Sequence, residues 1–208
     1  MLVVSHIKGI ELNFACMGIA LNFACIELGA CIHICLMPYA GASRTTTIEY
    51  TRIISTAAKV ETMTTGEWAT RWLNNTLPQP DFAFSYSSLE HDGLGRFGDP
   101  MNPWADLETV QRISCYVKPG GLFFLGLPAA AIDILIFNAG RVYGPVRFPL
   151  TTANWEVLGV YAHPDDMKSC GRGCKGYWEN IKRYGSETGG YQVVVVLKNS
   201  RPAACRSS

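Results

Sequence analysis

Phe82-Ala83-Phe84-Ser85-Tyr86-Ser87-Ser88-Leu89-Glu90-His91, followed downstream by Lys118-Pro119-Gly120-Gly121-Leu122-Phe123-Phe124-Leu125-Gly126-Leu127-Pro128, decides the fold class. Residues 82–86 are a continuous apolar and aromatic run, as expected of a strand covered on both faces. Polar residues gather at its carboxyl end, where Ser87, Ser88, Glu90 and His91 follow. A glycine-rich loop over 92–102 leads into a helical pattern over 106–116, with Leu107, Val110, Ile113 and Ser114 inward. Lys118-Pro119-Gly120-Gly121 makes the turn into a second buried strand, which Pro128 is expected to stop. Strand, helix and strand in this order predict a right-handed βαβ unit.

The same reading extends outward. Thr45-Thr46-Thr47-Ile48-Glu49-Tyr50 is β-branched and predicts a strand ending in an acid, and Val60-Glu61-Thr62-Met63 predicts another. Thr65 is placed to cap a helix whose apolar face is Trp68, Trp72 and Leu73, with Glu67 in the first turn and Pro78 and Pro80 beyond its end. After Pro128 the apolar run 129–137 predicts a helix, and 155–161 and 191–198 predict two more strands of the same sheet. Between them, residues 165–190 read as a surface excursion with a short helix near 177–184. The final residues, 199–208, read as a flexible tail. Residues 1–40 stand apart: Leu-Asn-Phe-Ala-Cys occurs at 12–16 and again at 21–25, and Lys8, Glu11 and Glu27 are the only Lys, Arg, Asp or Glu residues before Arg44. They predict an irregular apolar extension ahead of one α/β domain over 41–198.

Composition narrows the function classes. Eighteen Lys+Arg against seventeen Asp+Glu give a net charge of +1, too weak a field to gather phosphate backbones, so no nucleic-acid partner is indicated. Hydrophobic residues at 48% supply a packed core for the 208-residue chain, so its eight cysteines are not needed as staples and predict a reduced, cytoplasmic protein. Cys170-Gly171-Arg172-Gly173-Cys174 with His163, and Cys31, His33 and Cys35, fall short of the four paired ligands of a structural zinc site, so no metal is expected. Gly93-Leu94-Gly95-Arg96-Phe97-Gly98 lacks the Lys-Ser/Thr of a phosphate loop, and Ser87 lacks the glycine setting of a hydrolase elbow.

Three anchors resemble a class I S-adenosylmethionine-dependent methyltransferase: the strand ending at Glu49, the strand leading to Ser88-Leu89-Glu90-His91, and the Lys118-Pro119-Gly120-Gly121 turn into a strand ending at Pro128. More narrowly, Phe84-Ser85-Tyr86-Ser87-Ser88-Leu89-Glu90-His91-Asp92-Gly93-Leu94-Gly95-Arg96-Phe97-Gly98-Asp99-Pro100 resembles the signature of an uncharacterised methyltransferase-like family known largely from nematode and algal proteins. The resemblance covers residues 41–198 and implies a Rossmann-like, mostly parallel α/β sheet with S-adenosylmethionine as cofactor. It implies that Glu49, with Tyr50 beside it, accepts hydrogen bonds from the ribose hydroxyls, because a vicinal diol needs a fixed anionic acceptor. Met63 and Thr64 are implied at the adenine, and Ser85, Ser87 and Ser88 at the methionine portion. Glu90 and His91 are implied at the reacting end, with His91 as general base or, alternatively, as a brace of the loop. Arg96 and Asp99 are implied at the methyl acceptor or, alternatively, in a surface ion pair.

The chain departs from that pattern ahead of Gly41, where no acid-Gly-x-Gly-x-Gly turn occurs, so the first strand and its glycine loop are expected to be missing or replaced. Two functions are therefore carried forward. One is methyl transfer to an acceptor that the sequence does not name. The other is a non-catalytic descendant that uses apolar residues 12–37 for contact with a protein or a membrane.

Overall fold

A computed structural model describes residues 2–6, 42–162 and 191–201. The chain forms strands β1 (Leu2–His6), β2 (Arg44–Glu49) and β3 (Val60–Thr64), helix α1 (Thr65–Leu73), β4 (Phe82–Tyr86), helix α2 (Ala105–Tyr116) and β5 (Leu122–Ala129). A small hairpin, β6 (Ile134–Ile136) and β7 (Gly140–Val142), follows, then the short helix α3 (Arg147–Thr151) and strands β8 (Trp155–Ala162) and β9 (Tyr191–Asn199). The architecture is mixed α/β: a seven-stranded sheet in the order β3-β2-β1-β4-β5-β9-β8, beside the two-stranded β6-β7 sheet.

Pairing is parallel for β2 with β3 and β4 with β5, and antiparallel for β1 with β2, β1 with β4, β5 with β9 and β8 with β9. Strands β2, β3, β4, β5 and β8 thus point one way, and β1 and β9 the other. Leu2–His6, which the sequence pattern assigns to an extension, is the strand between β2 and β4. His6 lies opposite Arg44, the first residue of β2, so the carboxyl end of β1 sits at the edge where its neighbours begin.

Alternation along the central strands builds two apolar faces. Ala83, Phe123, Leu125, Val195 and Leu197 face one side, under Val110, Ile113 and Tyr116 of α2 and the half-buried Trp68 and Trp72 of α1. Phe82, Phe84, Phe124 and Val196 face the other. Both tryptophans meet Tyr116 edge-on, at centroid distances of 5.5 and 5.2 Å, and burial pushes the Tyr116 phenol up to about 12. Leu73, expected on the inner face of α1, is instead 79% exposed, because the helix ends there and Asn74 caps it. The N-cap is Thr64, one residue earlier than expected. Its hydroxyl accepts from the Glu67 amide at 3.2 Å, and the Glu67 carboxylate accepts from the Thr64 amide at 2.8 Å.

The expected helix over 129–137 is not formed. β5 runs through Pro128 to Ala129, and the apolar run beyond it forms β6. Proline is tolerated at 128 because β4 pairs only as far as Gly126, which leaves no β4 carbonyl waiting for an amide there. The Pro128 carbonyl accepts from the Tyr143 amide at 2.9 Å, tying the hairpin to the sheet. The helix expected near 177–184, the cysteine clusters at 31–35 and 170–174, and the apolar contact segment 12–37 lie outside the described residues. Cys115, with its Sγ 3.6 Å from Arg201 Nη1, lies within the described residues, and the other seven cysteines fall outside them.

A buried ionic cluster locks α2 to the segment after β7. Asp106, fully buried at the start of α2, accepts from Tyr143 Oη at 2.9 Å and Arg147 Nε at 2.8 Å, with Arg141 Nε at 3.8 Å. Asp106→Ala leaves buried Arg141 and part-exposed Arg147 without their carboxylate and is expected to cost about 3 kcal/mol or more in urea unfolding; a loss under about 1 kcal/mol would contradict this role.

Candidate functional site

The carboxyl ends of β2 and β4 open into a cleft of about 370 Å³. Open α/β sheets place ligands at this edge, since the strands end there and loops diverge. β2 contributes Ile48 and Glu49, with Tyr50 just beyond it; α1 contributes Thr65 and Trp68; the loop after β4 contributes Ser88, Leu89 and Asp92; α2 contributes Thr109 and Arg112. Glu49 is half-buried and Tyr50 is 39% exposed.

The loop over the cleft owes its shape to glycine and to one carboxylate. Gly93, Gly95 and Gly98 have φ of +73°, +73° and +80°. A Cβ on Gly93 would lie 2.0 Å from the Asn102 carbonyl oxygen, so no other residue fits. Asp99 accepts from the amides of Gly93 at 2.6 Å, Phe97 at 3.1 Å and Gly95 at 3.3 Å. Burial pushes its carboxyl up, but these amide bonds prevail and hold it below the usual carboxylate range. Arg96 is exposed, with its guanidinium 5.6 Å from the centre of the Phe97 ring.

The predicted site residues divide into two groups. Glu49, Tyr50, Ser88 and Asp99 line the cleft. Met63 is buried in the core and Thr64 caps α1. Ser85 is fully buried, its hydroxyl without a hydrogen-bond partner among the described residues. Ser87 is exposed and has a left-handed backbone at φ +47°; its hydroxyl donates to Glu90 Oε1 at 2.7 Å. Glu90 is 3% exposed, and its other carboxylate oxygen has no hydrogen-bond partner among the described residues. His91 directs Nδ1 at the Ala139 carbonyl oxygen. A carbonyl can only accept, so Nδ1 carries the proton and Nε2 faces Glu90 Oε1 at 3.7 Å. Glu90 and His91 are therefore turned toward each other and the β6-β7 hairpin, and neither lines the cleft.

Asp92 is the site residue that the sequence reading passed over. It is 5% exposed and lines the cleft, and its two oxygens accept from Tyr50 Oη at 3.0 Å and Thr109 Oγ1 at 2.9 Å. Burial pushes its carboxyl up, against the pull of the two hydroxyls. The same burial, with the Asp92 charge adding to it, pushes the Tyr50 phenol well above its ordinary range. Arg141, 3% exposed, donates to the backbone carbonyls of Asp92 at 2.6 Å, Glu90 at 3.3 Å and Pro103 at 3.4 Å. It fixes the loop from behind. Only the adjacency of Asp92 to His91 could have drawn attention to it in the sequence, and Arg141 carries no local signal at all.

The depressed Asp99 titration has a stability consequence. A carboxyl held below its unfolded value near 3.9 stabilises the fold above that value, and this contribution is lost as pH falls through the folded pKa. Asp99→Asn is expected to lower stability at pH 7 and to flatten its fall between about pH 5 and pH 3, followed by thermal unfolding across pH. An unchanged acid limb would contradict the assignment.

Among the described residues no helix is long and apolar enough to cross a membrane, and no three His, Cys, Asp or Glu side chains are grouped to hold a metal ion. No curated protein and no solved structure matches the chain. A family model described as "Caenorhabditis protein of unknown function, DUF268" matches residues 32–171, a span that includes β2 through β8 and the described walls of the cleft. Matched over more than half of its length, the chain belongs to that family.

Proposed function

We propose that the chain binds S-adenosylmethionine in the cleft at the ends of β2 and β4 and is a methyltransferase. The observation that carries this reading is Glu49: a carboxylate ending β2 and lining a cleft at the carboxyl edge of the parallel β2 and β4 strands. The strand order supports it, since β3-β2-β1-β4-β5 follows the 3-2-1-4-5 arrangement of Rossmann-like sheets, in which ligands sit where the order turns back. The residues fit the cofactor by their chemistry. Glu49 can accept from both ribose hydroxyls, Trp68 and Tyr50 offer flat apolar surface to a purine, and Ser88 offers a hydroxyl to the amino-acid end. When bound, S-adenosylmethionine supplies an electrophilic methyl group on a sulfonium; the chain's part is to hold the acceptor in line with it and to limit access of water. Asp92 is the carboxylate on the wall nearest Tyr50, whereas His91 is turned to Ala139, so the wall gives proton removal to Asp92 more readily than to His91.

One observation favours the second reading, a non-catalytic module. β1 runs against β2 and β4, so its carboxyl end lies at the edge opposite the cleft and away from Glu49.

Calorimetric titration with S-adenosylmethionine and S-adenosylhomocysteine distinguishes the two. Micromolar binding, weakened at least about tenfold by Glu49→Ala, is the expected result. A folded protein that binds neither ligand sinks the methyltransferase reading and leaves the module.

A further inference from the structure

Among the described residues the carboxylates of Glu49, Asp92, Asp99 and Glu108 line the cleft. Asp99 is held by backbone amides, and Glu108 is paired with Arg112 at 3.1 Å and takes a hydrogen bond from Asn102. Asp92 differs. Its hydrogen-bond donors are the neutral Tyr50 and Thr109 hydroxyls, one to each oxygen; the chain's amino terminus attracts it more weakly than those bonds do, and among the described residues no Lys, Arg or His side chain pairs with its carboxylate. Arg141 reaches only its backbone carbonyl. At 5% exposure, the Asp92 charge is poorly screened by solvent, and charge interactions across such a wall outlast those at the surface.

Resting on the methyl-transfer reading of the cleft, we propose that Asp92 is a specificity-determining residue that makes the cleft select the sulfonium of S-adenosylmethionine over the neutral thioether of S-adenosylhomocysteine. A carboxylate that burial pushes up gains most from an added cation, because the cation offsets the desolvation that raised it. The neutral product gains nothing from it. Charge loss in methyl transfer would then loosen the spent cofactor, so the residue that favours loading also favours release. Tyr50 and Thr109 act as positioning residues, holding the carboxylate on the wall.

The test is calorimetry on the full chain with three ligands: S-adenosylmethionine, S-adenosylhomocysteine, and the analogue in which a protonated amine replaces the sulfonium. The wild-type protein is expected to bind both cationic ligands about tenfold or more tighter than the thioether. Asp92→Asn should weaken the cationic ligands about tenfold and leave the thioether within about twofold, while Asp92→Glu retains the preference. Equal affinity for all three ligands in the wild type, or a preference that survives Asp92→Asn, overturns the proposal and leaves the methyltransferase reading standing. Failure of the wild type to bind any of the three overturns both. Should circular dichroism show Asp92→Asn to be unfolded, the wild-type ranking together with Asp92→Glu decides: equal affinities, or a preference that disappears although the carboxylate is kept, overturn the proposal.

Discussion

Arg141 is buried where a charged side chain is costly, and the loop after β4 and the start of α2 are arranged around satisfying it. Its guanidinium donates to the carbonyls of Glu90, Asp92 and Pro103 and lies 3.8 Å from Asp106. Those partners come from both ends of the glycine loop and from the start of α2, so one side chain fixes the loop at three points. Arg147 adds a bond to Pro103 and the main pairing to Asp106. A loop with three left-handed glycines would otherwise have wide conformational freedom. Here it is held firmly enough for Asp92, Asp99 and Asn102 to keep fixed places on the cleft wall.

The cleft is made by the sheet and finished by the loop. β2 and β4 end at the same edge and set Glu49 and Ser88 on it, and the turn at Ser87 sends the chain back over the opening. Asp99 spends its charge on the loop itself, whereas Asp92, seven residues earlier in the sequence, spends its own on the cleft. The division follows from donors: amides surround one carboxylate and hydroxyls the other.

What could be read from sequence was local. The continuous runs at Phe82 and Leu122 identified β4 and β5, because a strand covered on both faces has no polar phase to misplace. The acid ending β2 and the serine at the end of β4 were legible for the same reason: strand ends are marked by a change of polarity. The run 129–137 was misread because a short apolar segment carries no period that separates helix from strand, and it is the hairpin bond of Tyr143 to Pro128 that decides between them. The orientation of His91 toward Ala139 and the assembly of Arg141, Asp106 and Arg147 depend on contacts between distant segments, to which no window of sequence has access.

Strand β9 lies inside the sheet, paired with β5 along its whole length on one side and with β8 on the other. β5 therefore has an open edge of valine-matching, hydrogen-bonding backbone until residues 191–199 arrive, although the described walls of the cleft have already been synthesised. On the ribosome the ligand edge can take shape early, but the sheet closes last, and the waiting flank of β5 is where a nascent chain is most open to pairing with the wrong partner.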